Sequence, residues 1–331
     1  MINSIDLSKV HLRLTNISKN ATNTVSFKPS EAKEPLDSSY SNAKLICIEK
    51  MDQSYPLNPE NNQLIKNWSI FAYDESVLIY SALEGDLMFC SSAVIKIEDE
   101  YAYNLTVLPF FFTSIKKLAE TKIDGINFTK DPSLAKKMAM VEMKTTSILD
   151  AVEPNSIVLI DGPLVAGNIM AYLINMDEKL REKNCIPIYF IKNSYSRMVI
   201  DFDPELSTIY NSDFHWAVRL LPDQHRSSLF KYTDQYNPRD SKVFTYLKPS
   251  MGFPMRIEMH SKTYEKFNPL IKDVIDLLSY FFILQGDYAN PQVRPIVIAE
   301  KYAREGLKVL NIPALLQRLG FHPTINQVRF G

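Results

Sequence analysis

The sequence predicts an α/β protein built on one mixed sheet flanked by helices, and three observations predict it. Short apolar runs rich in β-branched residues, such as Ile157–Ile160 and Ile186–Ile191, suit strands buried on both faces. Longer segments of helical period stand between and after them. The strand–helix–strand order from Ser156 to Lys192 then implies a parallel pair joined by a right-handed crossover.

Taken in order, residues 1–60 read as an N-terminal arm, partly irregular. Residues 15–45 are rich in Ser, Asn, Thr and Pro and carry no apolar period. The folded core starts near residue 61 and runs as one domain to residue 331. WSIFAYDES and SALEGDLMFCSSAVIKI read as neighbouring strands of a hairpin. A helix follows from Pro132 to Val152, with Asp131 as N-cap and Pro132 at the first helical position, where a missing N–H costs nothing. Next come the strand SIVLID, a helix from Pro163 to Lys183 and the strand IPIYFIK. After a loop-rich stretch, KVFTYL and FPMRIEM are two more strands. NPLIKDVIDLLSYFFIL is a helix, and RPIVIAEKYAREGLKVL is an apolar segment running into a last helix.

Composition narrows the function classes. Of 331 residues, 46% are hydrophobic, enough for a large core, while 37 basic residues against 38 acidic ones exclude nucleic-acid binding by bulk charge alone. No apolar run reaches the roughly 18 residues of a membrane span, and the start lacks a secretory pattern, so a cytoplasmic protein is expected. Cys47, Cys90 and Cys185 offer neither a zinc pair nor a disulfide framework, and read as buried thiols. There is no GxxxxGK[ST] or GxGxxG for a motor or dinucleotide enzyme. The five histidines show no ligand spacing; His260, just after Arg256-x-Glu258, is the one that could approach a site on a central strand.

Three acids fit one chemistry. Asp74 ends the apolar run Ile70–Tyr73, and Asp161 ends Ile157–Ile160 just before Gly162-Pro163, so both stand where α/β sheets open to ligands. Each also fits a plain turn residue. At about 100° per residue, Leu134, Met138, Val141, Thr145, Ile148, Leu149 and Val152 share one helix face. Glu142 falls at the border of that face, partly desolvated or reaching out to solvent. Acids from a first strand, a helix and a later strand converge in sheets of the ribonuclease-H kind. Clustered carboxylates there can hold divalent cations that activate water and neutralise a leaving oxygen. Lys192, at a strand end, is a candidate DNA-phosphate contact or a solvated lysine.

FAYDESVLIYSALEGDLMF resembles the first motif of the NurA nuclease family. AKKMAMVEMKTTSILDAVEPNSIVLIDGPL resembles its helix Glu followed by a strand ending in Asp-Gly, with Glu142 and Asp161 nineteen residues apart. IPIYFIKNSYSRMV and KVFTYLKPSMGFPMRIEM are similar to later family strands, the second carrying Arg256-x-Glu258. The resemblance covers about 70–331. It implies a ribonuclease-H-like fold and a homodimeric nuclease dependent on Mn²⁺ or Mg²⁺. Its activities would be 5′-to-3′ exonuclease and single-strand endonuclease, in DNA-end resection with a HerA-type hexameric ATPase. Asp74, Glu142 and Asp161 would bind metal, and Lys192 and Arg256 would meet DNA phosphates.

By register, Glu300 stands where the family usually carries a His, and Glu75 where it often has a Gly. An acid can ligate a metal through oxygen but cannot replace the proton chemistry of an imidazole. Glu300 is therefore a candidate catalytic position, and a second reading stays open: a degenerate subunit that keeps the fold and serves as a HerA- or DNA-binding module.

Overall fold

The computed structural model describes residues 38–314 apart from 41–42, 51–53, 62, 82–84, 99–100, 117–125, 165–169, 193–195, 235–236, 238, 250–251, 288–291 and 310. Most of the expected arm, residues 1–37, lies outside the described residues.

Among the described residues the centre is a mixed sheet of 13 strands. Its middle is formed by β4 (Ser69–Ser81), β5 (Asp86–Lys96), β6 (Tyr101–Thr113), β8 (Ser156–Asp161) and β9 (Ile186–Ile191), in the order β6-β5-β4-β8-β9. β4, β5 and β6 are antiparallel, and β8 and β9 add in parallel. Both the predicted hairpin and the predicted parallel pair are thus present, in a ribonuclease-H-like mixed sheet. Beyond β9 the sheet continues antiparallel through β13 (Met255–His260), β12 (Ser241–Lys248) and β11 (Phe230–Asp234). The short β1 (Ser38–Tyr40), β3 (Tyr55–Pro56), β7 (Ile126–Phe128) and β10 (His225–Arg226) complete its margins.

Two elements correct the expected boundaries. β2 (Ala43–Cys47) pairs with β11, Leu45 opposite Tyr232, and Leu45 is buried, so the sheet recruits residues well before 61. β6 is a strand beyond those the sequence suggested, with Asn104 and Pro109 inside it. Pro109 lies where, among the described residues, β6 pairs on one side only, since β7 meets just Phe111–Thr113.

Alternation along the central strands loads both faces. Ile70, Ala72, Ile157, Leu159, Ile188, Phe190, Ile257 and Met259 pack into one core with α5 (Ser261–Gln285) and α6 (Arg294–Val309). Phe71, Tyr73, Val158, Ile160 and Tyr189 pack on the other face with α1 (Pro132–Ala151) and α2 (Met170–Glu182). A third core holds α3 (Pro204–Ile209) and α4 (Asp213–Leu220) over Phe230, Phe244 and Tyr246. Each fully buried aliphatic or aromatic side chain contributes about 1.5–3 kcal/mol of transfer free energy.

Helix ends follow the sequence in α1, where the Asp131 side chain accepts from Leu134 N at 3.0 Å. α5 starts seven residues earlier than its apolar pattern suggested. His260 caps it and Pro269 lies inside it, while Gly286, at φ 67°, supplies the left-handed stop. α6 is helical from Arg294, with no separate apolar segment before it.

Candidate active site where the parallel strands end

Parallel pairing places Tyr73 of β4 beside Ile160 of β8, and there the ladder stops. Asp74 and Asp161 follow side by side. β8 ends because Gly162 takes φ +96°, a conformation other residues rarely adopt, and its N–H bonds to Phe190 O at 2.9 Å. β4 does not end: it runs on to Ser81 beside β5 alone, so Asp74 marks where it parts from β8 rather than a strand terminus.

Asp74 is 5% exposed, and its Oδ1 accepts from Glu75 N at 2.7 Å. Burial, then repulsion from Asp161 and Glu75, pushes its carboxyl up to about 8, with Lys192 opposing. Asp161 carries a buried Oδ1 with no hydrogen-bond partner, and Lys192 Nζ stands 3.3 Å from it. Lys192 is delivered by β9, whose Phe190 lies opposite Asp161. Two carboxylates and one lysine therefore meet at this edge.

Glu142 is not with them. It is exposed on α1, the solvent-reaching one of the two readings that the helix geometry left open. The helix is turned so that Val141, Lys144, Ser147, Ile148 and Ala151 face the sheet, while Met138, expected inside, is exposed. Polar partners on the sheet make this turn tolerable. Lys144 Nζ lies 3.2 Å from Glu75 Oε2, donates to the Asp161 main-chain oxygen at 3.1 Å and stands 5.1 Å over the Tyr73 ring. The Ser147 and Ser92 hydroxyls are 2.8 Å apart. Lys144 lies three residues after Val141 and four before Ile148, on the apolar stripe itself, and that spacing was the available signal.

Glu300 lies beyond the first turn of α6, partly exposed, and its partner is Arg304 one turn on. Arg256 is only 6% exposed, and its guanidinium is engaged within the protein. It pairs with Glu258 at 3.1 Å and donates to the Ser196 hydroxyl. Lys242 reaches the same Glu258 oxygen at 3.0 Å, and Leu164 N donates to the other at 3.3 Å. Burial raises the Glu258 carboxyl, but Lys242 and Arg256 outweigh it and hold it below the usual range. This network, unseen from sequence, fastens the segments that follow Asp161 and Lys192. His260 stays outside the site: its Nδ1 accepts from Lys262 N at 3.1 Å, which leaves Nε2–H to donate to Arg239 O at 3.0 Å. All three cysteines are buried thiols outside any disulfide, as expected.

A hard divalent cation suits the acid pair in charge and donor type, since two repelling carboxylates stand side by side and share Lys192, 3.3 Å from Asp161 Oδ1. A third acid does not join: among the described residues no group of three or more His, Cys, Asp or Glu is placed to hold a metal. Nor is any described helix long and apolar enough to cross a membrane.

No curated protein sequence matches the chain. Among solved structures, the NurA nuclease from Sulfolobus solfataricus superposes with a TM-score of 0.54 at 12% identity, covering 96% of this chain and 98% of that one. A manganese-bound NurA gives 0.37 at 9% identity over 96% and 98%. Endonuclease V from Streptomyces avermitilis gives 0.37 at 12% identity over 78% and 85%. A NurA domain matches residues 85–305, which span β5 to α6 and include Asp161 and Lys192. The chain therefore belongs to the NurA family.

Proposed function

We propose that this NurA-family chain is a divalent-metal-dependent deoxyribonuclease whose metal ligands are Asp74 and Asp161. The observation that carries the reading is the acid pair beside the end of β8: Asp74, buried and raised to about 8 by burial and by Asp161, and Asp161, 3.3 Å from Lys192. Such a site gains most from a hard cation, Mn²⁺ or Mg²⁺. When bound, that cation lowers the pKa of an attacking water and stabilises the leaving oxygen of a phosphodiester. The chain's own groups supply the rest. Without metal, Asp74 keeps its proton at neutral pH and so limits the charge at the edge. Lys144 holds Glu75 and the end of β8 in place, and Lys192, 3.3 Å from Asp161, would offer a cation to a DNA phosphate.

The finer expectations of the family belong here as well. They are 5′-to-3′ exonuclease and single-strand endonuclease activity in end resection, a homodimer in the cytoplasm, and a HerA-type ATPase that delivers the strand. The near-neutral charge of the chain accords with delivery by a motor partner.

One observation favours the second reading, a degenerate binding subunit: neither Glu142 nor Glu300 joins the acid pair. A single assay separates the two. Wild type should cleave single-stranded DNA when Mn²⁺ is added, and Asp161→Asn should lose more than about a hundredfold, because partners of metal ligands alone are worth roughly 10–100-fold. Equal cleavage by the variant would remove Asp161 from the site. An inert wild type, with and without the motor partner, would leave the degenerate subunit as the function.

A further inference from the structure

We propose that Phe253, backed by Phe214, is a stacking platform for an unpaired nucleobase of the strand that enters the acid site. This rests on the nuclease reading above and names a substrate contact for it.

The placement follows from register. Arg256 of β13 lies opposite Ile191 of β9, and β13 runs antiparallel to β9, so β13 begins at the edge where β9 ends with Lys192. Phe253, two residues before β13, therefore stands past that edge. Along it come Asp74 on β4, Asp161 on β8, Lys192 after β9 and then Phe253, in adjacent strands. With neighbouring strands about 4.8 Å apart, the β13 column is roughly 10 Å from that of Asp161. At a rise of about 3.4 Å per stacked nucleotide, this is about three nucleotides along a strand.

Single exposed aromatics are common and mean little. This one differs in its support. Phe253 is 50% exposed, and its ring lies 5.8 Å from that of Phe214 at 31°. Phe214 follows Asp213, which is fully buried at the start of α4. Asp213 accepts from Val199 N and Ile200 N, each at 3.0 Å, from the Tyr246 hydroxyl at 3.0 Å and from the Ser196 hydroxyl at 3.2 Å. Ser196, Val199 and Ile200 are thus tied to the start of the helix that props Phe253. On the other side, Pro254 and Met255 are buried. An aromatic face fixed in this way is pre-organised for any base, since every base has a π face, and it asks for no sequence. Lys192 nearby suits the phosphate of the same strand.

Direct binding without cleavage tests the platform. Fluorescence anisotropy of the full chain in EDTA would compare a short oligothymidylate with an abasic strand of equal length, for wild type, Phe253→Ala and Phe253→Trp. Phe253→Ala should weaken oligothymidylate binding about tenfold, as expected for one lost base stack, and leave abasic binding unchanged. Phe253→Trp should bind at least as well as wild type. Equal oligothymidylate affinity in wild type and Phe253→Ala, or equal losses on both strands, would overturn the platform and leave the nuclease reading intact. A wild type that binds neither strand would overturn the platform as well, while the nuclease reading is decided by the Mn²⁺-dependent cleavage assay.

Discussion

Asp74 and Glu258 are carboxylates buried in one sheet, three strands apart, yet their surroundings drive them in opposite directions. Around Asp74, burial is reinforced by two acids, and the carboxyl rises to about 8. Around Glu258, two cations within 3.1 Å outweigh complete burial, and the carboxyl falls below its usual range. Desolvation is common to both, so what differs is whether the fold supplies a counter-charge. Where it does, the acid ties segments together. Where the one lysine supplied is outweighed by burial and two further acids, the acid is poised for a cation from outside.

The largest effect should come from breaking the compensated side. Glu258→Gln leaves Arg256 and Lys242 without their shared anion, and urea denaturation at neutral pH should show a loss of about 3–5 kcal/mol. A loss below about 1 kcal/mol would mean that water, not Glu258, balances those cations.

Asp74→Asn should cost much less, and pH sharpens the contrast. A carboxyl raised in the folded state contributes stability at low pH that is lost as pH rises through its folded value. Without metal, the melting temperature of wild type should therefore fall as pH climbs from about 4 toward about 8, while Asp74→Asn should lack that decline. Millimolar Mn²⁺ should flatten the wild-type curve, since the cation replaces the proton. Identical pH profiles for the two proteins in EDTA would show that Asp74 is already compensated.

Glu300 should matter least. Its partner is Arg304 at i,i+4, an arrangement worth roughly 0.3–0.5 kcal/mol, so Glu300→Ala should shift stability by no more than that and leave Mn²⁺-dependent cleavage unchanged. A gain of cleavage in Glu300→His would instead revive the degenerate-site reading, because an imidazole handles protons near neutral pH.

Local signals carried the elements whose causes lie within a few residues. Asp131-Pro132 starts α1, the apolar runs at Ile157 and Ile186 make buried parallel strands, and Gly162 ends β8 so that Asp161 falls at its edge. The order of motifs was enough to suggest the family that the matched domain at residues 85–305 shows. Tertiary structure alone decided which way the polar residues face. α1 turns Lys144 inward and Glu142 outward because Glu75, Asp161 and Ser92 wait on the sheet, up to 69 residues away in sequence, with partners for Lys144 and Ser147. Arg256 is drawn inward by Glu258 and by Ser196, sixty residues distant. A helix pattern counts apolar residues, whereas burial of a charge is settled by a counter-charge that only the folded chain brings near.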